Sequence, residues 1–338
     1  MAPPLSCIIG LSGERLSRSE SVFLRDANPW GVILFSRNVK DRDQVKNLTD
    51  DIRDAMGRNT LIFVDQEGGR VQRLKAPHWR AYPSGDQYAS IYLQDKVIGR
   101  RVCYLGHRLI ADDLRAVGIT SDCAPVLDLP QPGADPIISD RALGSDVRDI
   151  VEMAHAAMAG LMAGGVAPVV KHIPGHGRAT VDSHKALPKI NADRKTLEES
   201  DFLPFRKLHD APMAMTAHAV YTHNSRTAVT ISRRSLMELI RAAIGFDGLL
   251  MSDDLDMKAL TGNLTRKTER ALNAGCDIAL QCSGRLADSV KVAKGSQTLS
   301  GRSLGRAVIA ENCAEHMKDF NRIAAEAEFD ELFGQFTT

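Results

Sequence analysis

The chain has 338 residues, of which 43% are hydrophobic, so it is long enough to bury a large core. Its 43 Lys and Arg residues balance 42 Asp and Glu residues, and the formal net charge of +1 gives no reason to expect a nucleic acid or an anionic membrane as a partner. No apolar run reaches the roughly 18 residues that a membrane span needs, and the N-terminal stretch MAPPLSCIIGLSG lacks a basic leader with a long apolar core. We therefore expect no membrane span, no signal peptide and a cytoplasmic location.

Short apolar runs recur along the whole chain and predict eight β-strands. They are continuous rather than alternating, as in parallel strands that are buried on both faces. The predicted strands are Cys7–Leu11, Gly31–Phe35, Leu61–Val64, Ile119–Val126, Val166–Val170, Met213–Ala217, Leu249–Met251 and Ile278–Gln281.

Longer amphipathic segments lie between these runs and predict helices. The clearest are Arg42–Met56, Ile91–Val117, Asp149–Met162, Arg194–His209, Arg233–Ile244 and Arg266–Ala274. Eight strand-then-helix units predict an α/β fold, a closed (β/α)8 barrel, as one domain over residues 1–338. A helical tail is expected over about 286–338. The rival fold, an open doubly wound sheet, would carry GxGxxG after the first strand, and that motif is absent.

The six cysteines are scattered, and no CxxC pair occurs. Several of them lie in or beside apolar runs. Reduced, mostly buried thiols are the simplest expectation, and a zinc site built from cysteines is not expected.

Polar side chains follow several predicted strands. In a (β/α)8 barrel these positions meet on one face around one pocket. Dense clusters follow the third, fifth and seventh strands, and fewer candidates follow the fourth and sixth. The groups are Asp65–Arg70 with Arg73, then Asp128 and Arg141, then Lys171, His172, His176, Asp182 and His184, then His218, and last Ser252, Asp253, Asp254 and Asp256.

The segment KHIPGHGRATVDSH, residues 171–184, is the most informative stretch. So many ionisable groups beside two glycines are costly to gather for stability alone, which favours a functional role. Asp182 stands two positions before His184, and such a pair can orient an imidazole for general acid/base work. Gly175 and Gly177 suggest a mobile loop, and the alternative is a rigid turn in which the glycines allow tight packing. Simpler interpretations exist elsewhere, because Asp253 and Asp254 could cap a helix and His218 could be an ordinary barrel-mouth histidine.

A carboxylate after the seventh strand, facing an Asp–His pair after the fifth, suits glycoside hydrolysis. Asp65, Arg73, Arg141 and Lys171 suit the hydroxyls of a polar ligand. Two Trp and five Tyr are too few for a long stacking cleft, so a short substrate fits better. Two other classes stay open. One is a metal-dependent barrel hydrolase that uses the histidines and aspartates as ligands. The other is a non-catalytic barrel that binds a sugar without cleaving it.

Four segments together resemble glycoside hydrolase family 3, and within it the single-domain bacterial β-N-acetylhexosaminidases. They are GVILFSRN (31–38), DQEGGRVQRL (65–74), KHIPGHGRATVDSH (171–184) and MSDDLDM (251–257). The resemblance runs from about residue 5 to about residue 285. Two positions depart from the family pattern, because Arg178 stands where a small or acidic residue is more usual and Asp256 where a neutral one is common.

The resemblance implies a role for each matching residue. Asp253 matches the nucleophile, His184 the acid/base and Asp182 its carboxylate partner. The positions that bind the N-acetylglucosamine unit are matched by Asp65, Arg73, Arg141, Lys171 and His172. No metal or other cofactor is implied.

The implied reaction is retaining removal of terminal β-linked N-acetylglucosamine through a covalent glycosyl-enzyme. The implied substrate is an N-acetylglucosaminyl-1,6-anhydro-muropeptide from peptidoglycan recycling, and a monomer is expected. Two alternatives stay open. The substrate's own amide oxygen could be the nucleophile, and phosphate could replace water as the acceptor.

Overall fold

In a computed structural model that describes residues 3–336, parallel strands close into an eight-stranded barrel. The strands are β1 (Leu5–Gly10), β2 (Pro29–Leu34), β3 (Leu61–Val64), β4 (Ser121–Asp122), β5 (Ala167–Ile173), β6 (Lys189–Ile190), β7 (Met213–Thr216), β8 (Val220–Tyr221), β9 (Leu249–Asp254) and β10 (Ile278–Gln281). Around the barrel the strand order is β1-β10-β9-β7-β5-β4-β3-β2, and β6 pairs with β8 in a separate two-stranded sheet. The predicted (β/α)8 barrel is confirmed.

Helices alternate with the barrel strands and surround them. They are α1 (Arg18–Ala27), α2 (Arg42–Met56), α3 (Gly85–Gln94), α4 (Lys96–Ala116), α5 (Val147–Ala163), α6 (Arg194–Glu199), α7 (Leu203–Lys207), α8 (Arg233–Ser235), α9 (Leu264–Ala274), α10 (Leu286–Gly295), α11 (Gly301–Asn312) and α12 (Arg322–Gly334). The segment Leu236–Ile244 continues α8 as a π-helix. Short 3-10 helices occupy Ser36–Asn38, Ser139–Arg141 and Val229–Ile231.

Two predicted helices are each divided in the structure. The segment Ile91–Val117 breaks at Asp95, whose carboxylate accepts hydrogen bonds from the amides of Val97 and Ile98 and so starts α4 anew. The segment 194–209 breaks at Ser200, and Pro204 stands in the first turn of α7. A short polar side chain can cap a new helix inside an otherwise periodic pattern, and a proline favours the first turn.

The fourth strand is shorter than predicted and the seventh barrel strand is longer. Only Ser121–Asp122 form β4, because Pro125 has no amide hydrogen for a ladder bond, and pairing resumes as a single bridge between Val126 and Lys171. In contrast, β9 extends through Asp253 and Asp254, which places both carboxylates on the strand itself.

The C-terminal segment is helical, as predicted, and it completes the barrel. The side chains inside the barrel form one buried cluster with Leu299, Ala307, Ala310 and Ala314, so α11 closes the N-terminal end. There the indole of Trp30 donates to Glu311 at 2.6 Å. Helix α12 packs on α4 through the buried Phe329.

Within residues 3–336, no helix is both long and apolar enough to cross a membrane. The cysteines form no disulfide, and Cys7, Cys103, Cys123 and Cys276 are buried. The expectation of mostly buried thiols agrees with this arrangement.

Candidate active site

A cavity of about 260 Å³ opens at the C-terminal ends of the barrel strands. The side chains that line it come from the strands and from the loops that follow them. Among the predicted site residues, those on the wall are Asp65, Arg73, Arg141, Lys171, His172, His184 and Asp253. Asp182 lies behind His184, which it contacts directly. The barrel therefore gathers the whole predicted set at one place, as strand-end positions require.

A buried lysine joins two carboxylates on the cavity wall. The ammonium of Lys171, at the end of β5, lies 2.9 Å from Asp65 and 2.5 Å from Glu67, both of which follow β3. Burial would raise the pKa of Asp65, but Lys171 and Arg73 outweigh burial and hold it well below its ordinary value. Asp65 is thus a fixed anion with cations on two sides.

Arg141 and Glu67 form the second half of this charge cluster. Two guanidinium nitrogens of Arg141 donate to the two oxygens of Glu67, each at 2.8 Å, in a bidentate pair. Burial would raise the pKa of Glu67, yet Lys171 and Arg141 lower it to about 2. Arg73 donates to Asp65 at 2.9 Å and lies 5.2 Å from the ring centre of Phe35. The cluster presents rigid, ionised groups to a polar ligand.

Asp128 fixes the imidazole of His172. Its Oδ2 accepts from His172 Nδ1 at 2.6 Å, and its Oδ1 accepts from the amides of His172 and His176 at 3.2 and 2.6 Å. Burial favours the neutral acid, but His172 and His176 keep the pKa of Asp128 below its ordinary value. With Nδ1–H bonded to a carboxylate, Nε2 of His172 is the nitrogen available to a ligand.

Two further imidazoles near Asp253 are buried. Burial lowers the pKa of His176 to about 4, and it also lowers that of His218. His218 contacts the hydroxyl of Thr230 at 2.8 Å and the carbonyl of Asp254 at 3.0 Å, so both ring nitrogens are engaged. The interpretation of His218 as a satisfied barrel-mouth histidine agrees with these contacts.

The adjacent carboxylates of Asp253 and Asp254 differ in their surroundings. Burial would raise the pKa of Asp253, but the nearby His218 and His172 hold it below its ordinary value. Burial raises the pKa of Asp254 to about 7, although its Oδ1 accepts from the amides of Asp256 and Cys282. Asp253 is therefore more readily ionised than Asp254 at neutral pH.

The Asp182–His184 pair stands on the loop that follows β5. Oδ1 of Asp182 accepts from both the amide and Nδ1 of His184, each at 2.8 Å. The slight burial of Asp182 favours the acid form, yet the two hydrogen bonds from His184 lower the pKa of Asp182. The side chain of His184 is 65% exposed at the cavity mouth. An ionised Asp182 fixes Nδ1 as a donor, and Nε2 becomes the nitrogen that can exchange a proton.

Sequence reasoning named Glu67 and Asp128 among the strand-end groups without giving either a role. Glu67 neutralises Lys171 and Arg141, and Asp128 orients His172. Their positions just after β3 and β4 were the signal that could have marked them. Their partners lie more than 40 residues away in sequence, so spacing alone could not pair them.

Comparison with known proteins decides the family. A sequence model described as "Glycosyl hydrolase family 3 N terminal domain" matches residues 8–308. The chain belongs to glycosyl hydrolase family 3. It is therefore a glycoside hydrolase, as the resemblance implied, and the match extends past residue 285 into α11.

Relatives in this family are similar over most of their length. The beta-hexosaminidase of Alkalilimnicola ehrlichii is 39% identical over 279 residues, which are 81% of this chain and 80% of that protein. The beta-hexosaminidase of Bordetella avium is 35% identical over 286 residues, 83% of this chain and 81% of that protein.

Solved structures of this family share the whole fold. Native NagZ from Neisseria gonorrhoeae has a TM-score of 0.87 and 30% identity, with 98% of each chain covered. A second crystal structure of that NagZ, in complex with N-trifluoroacetyl-D-glucosamine, also has a TM-score of 0.87, at 29% identity and with 100% of this chain and 99% of that chain covered.

Proposed function

We propose that this family 3 enzyme is a retaining exo-β-N-acetylglucosaminidase. The observation that carries the proposal is the joint position of Asp253, the Asp182–His184 pair and the Lys171 charge cluster around one cavity. An ionised carboxylate can attack the anomeric carbon, and an oriented imidazole can transfer a proton. The names of the relatives, beta-hexosaminidases, support an N-acetylhexosaminide as the substrate.

In the first step, a carboxylate oxygen of Asp253 attacks the anomeric carbon as the glycosidic bond breaks. Nε2 of His184 gives its proton to the departing oxygen, while Asp182 holds Nδ1–H and stabilises the ring that carries the charge. The pKa of Asp253 lies below its ordinary value, so the nucleophile is ionised at neutral pH. A glycosyl ester on Asp253 results.

In the second step, Nε2 of His184 takes a proton from water, and the water oxygen attacks the anomeric carbon of the ester. Asp253 leaves as a carboxylate, and the sugar regains its β configuration after two inversions. A histidine has an ordinary pKa near neutrality, so one group can act first as acid and then as base.

The charge cluster is the proposed binding site for the terminal sugar. The site offers ionised acceptors and donors and one oriented imidazole in fixed positions, which suit the hydroxyl groups of one pyranose ring. The ionised groups are Asp65, Arg73, Arg141 and Lys171, and the imidazole is that of His172. The cavity of about 260 Å³ fits a short ligand bound end-on. The complex of a related NagZ with N-trifluoroacetyl-D-glucosamine supports a small amino sugar as the ligand class.

The natural substrate that we propose is an N-acetylglucosaminyl-1,6-anhydro-muropeptide, cleaved in the cytoplasm during peptidoglycan recycling. We further propose that residues 1–338 form one catalytic domain that works as a monomer. Both ring nitrogens of His218 already contact protein atoms, so this imidazole has no free nitrogen for a metal ion. Within residues 3–336, no cluster of three or more His, Cys, Asp or Glu side chains is placed to hold a metal ion.

The first experiment compares an aryl β-N-acetylglucosaminide with the matching aryl β-glucoside, with and without EDTA. Chromophore release from the N-acetyl substrate that survives EDTA is the expected result. Loss of activity with EDTA would instead place the histidines in a metal site.

A second experiment uses a fluorinated slow substrate and locates the adduct by peptide mass spectrometry. We expect the label on Asp253. Turnover without any adduct would point to attack by the substrate amide. Product analysis in phosphate buffer checks the acceptor, because a glycosyl phosphate would replace the free sugar if the enzyme were a phosphorylase.

A further inference from the structure

The loop that carries His184 is attached to the body of the protein through Arg178. The Nε of Arg178 lies 2.7 Å from Oδ2 of Asp201, and its Nη2 lies 3.1 Å from the hydroxyl of Ser200. Both partners stand in the short connection between α6 and α7. Asp201 is 1% exposed and Arg178 is 24% exposed. A guanidinium that makes two directed hydrogen bonds to a buried carboxylate and its neighbour fixes an orientation as well as a charge.

The surroundings of Asp201 show that this contact is built into the fold. Burial raises the pKa of Asp201, and the hydrogen bonds from Arg178 and Ser200 oppose that rise. The chain passes close by at Gly175, where an added Cβ would lie 3.0 Å from Asp201. The buried hydroxyl of Tyr221 donates to the carbonyl of Gly175 at 2.6 Å. Asp201 and Tyr221 therefore hold one side of the loop between Gly175 and Arg178.

The opposite side of the same loop segment rests on the connection that follows β4. The amide of Gln131 donates to the carbonyl of Gly177 at 3.1 Å, and the amide of Asp135 donates to that of Ala179 at 2.7 Å. A Cβ on Gly177 would lie 1.9 Å from the carbonyl oxygen of Leu129, so this approach tolerates only glycine. Residue 178 is thus held from both sides, by backbone bonds of its neighbours and by its own side chain.

Beyond Arg178 the loop changes character. Thr180 and Val181 are exposed, and the turn that presents His184 follows at once. The chain is next held where the amide of Ala259 donates to the carbonyl of Ser183 at 3.2 Å, beside the segment that follows Asp253. The Arg178–Asp201 contact is therefore close to the last firm attachment before the catalytic turn.

A buried ion pair adds little net stability in most proteins, because desolvation offsets the attraction between the charges. The Arg178–Asp201 pair is therefore better explained by the position that it gives to the loop than by added stability. We propose that Arg178 is a positioning residue. Through Asp201 and Ser200 it sets the place from which His184, on the Asp182–His184 turn, reaches the leaving-group oxygen. The inference rests on the proposed role of His184 as the acid/base.

Loss of the contact should impair proton transfer more than nucleophilic attack. In Arg178→Ala we expect kcat/KM to fall about tenfold or more with phenyl β-N-acetylglucosaminide, whose leaving group needs an acid, because small misplacements of a catalytic group are costly. With the 2,4-dinitrophenyl substrate, whose leaving group needs no proton, the expected loss is less than about threefold. Arg178→Lys keeps the positive charge but cannot make the two directed hydrogen bonds of the guanidinium. Its kcat/KM with the phenyl substrate should lie between those of the wild type and Arg178→Ala.

The matched control is Arg194→Ala, which removes an arginine from the exposed Arg194–Glu198 pair on the neighbouring α6. The substitution should leave kcat/KM unchanged with both substrates. If Arg178→Ala does not fold, Asp201→Asn tests the same contact from the buried side. Equal losses on the two substrates, or no loss on either, would overturn the positioning role.

His184→Ala is measured in parallel to separate the two proposals. A strong dependence on the leaving group in His184→Ala but not in Arg178→Ala rejects the positioning role alone. If His184→Ala itself lacks that dependence, the acid/base assignment under the proposed function fails, and the positioning role fails with it.

Discussion

Replacing Lys171 with methionine should cost several kcal/mol of stability at neutral pH. The side chain is 2% exposed, and its ammonium touches both Asp65 and Glu67. Methionine keeps the length and the apolar stem, so the change removes the charge with little change in packing. After the substitution Asp65 keeps Arg73 and Glu67 keeps Arg141, but each buried carboxylate has lost one of its two cations.

The magnitude follows from the ionisation of Glu67. Its pKa falls from 4.5 to about 2 in the folded protein, despite burial, because of Lys171 and Arg141 together. That difference corresponds to about 3 kcal/mol in favour of the folded state when the carboxylate is ionised. Breaking a buried pair by removing one partner typically costs about 3–5 kcal/mol. Arg141 keeps part of the Glu67 contribution after the substitution, while Asp65 also loses a cation, so we expect a loss of about 3 kcal/mol for Lys171→Met at pH 7.

The sign of the pH dependence follows from the lowered pKa. A carboxylate with a folded pKa below its unfolded value stabilises the protein above pH 4.5, and this contribution disappears as the pH falls towards about 2. In Lys171→Met the pKa of Glu67 rises, so the variant takes up its proton at a higher pH. The stability difference between the two proteins should therefore be largest at pH 7 and should shrink towards pH 4.

Urea unfolding at pH 7, 5.5 and 4 measures this difference, followed by the fluorescence of the buried Trp30 and Trp79. Lys46→Met is the control, because Lys46 forms an exposed pair with Asp50 on α2 and should cost less than about 0.5 kcal/mol. A loss below about 1 kcal/mol at pH 7, or a loss that stays constant down to pH 4, would refute the reasoning.

Three further substitutions test other parts of the site. Asp182→Asn removes the carboxylate that orients His184, and kcat/KM on the phenyl substrate should fall by about 10²-fold; an unchanged rate and pH profile would contradict this role. Asp128→Asn should raise KM for the N-acetyl substrate by about tenfold, because the carboxylate that orients His172 is lost. Steady-state kinetics measures this change, and an unaltered KM would contradict the proposed role of Asp128. Gly177→Ala should cost about 1–3 kcal/mol in urea unfolding because its Cβ would meet the Leu129 carbonyl, whereas an unchanged stability would show that the loop can shift freely.

The barrel could be predicted from the sequence because its signals are local. Continuous apolar runs such as Leu61–Val64 and Ile278–Gln281 matched the strands to the residue, since parallel strands buried on both faces need such runs. The positions after the strands then identified one face of the barrel. Local signals fell short where a single side chain redirected the chain, as at Asp95 and Ser200.

The candidate residues Asp253, His184 and Asp182 can be picked out from the sequence alone, because they lie in short, dense segments. The contacts that set their properties cannot. Arg141 pairs with Glu67, His172 with Asp128 and Arg178 with Asp201 only after the chain has folded, and the pKa directions of these carboxylates depend on those contacts and on burial. Local patterns determined the strands and the candidate groups, whereas tertiary structure decided which groups meet, because charge interactions depend on distance and desolvation in space and not on separation along the chain.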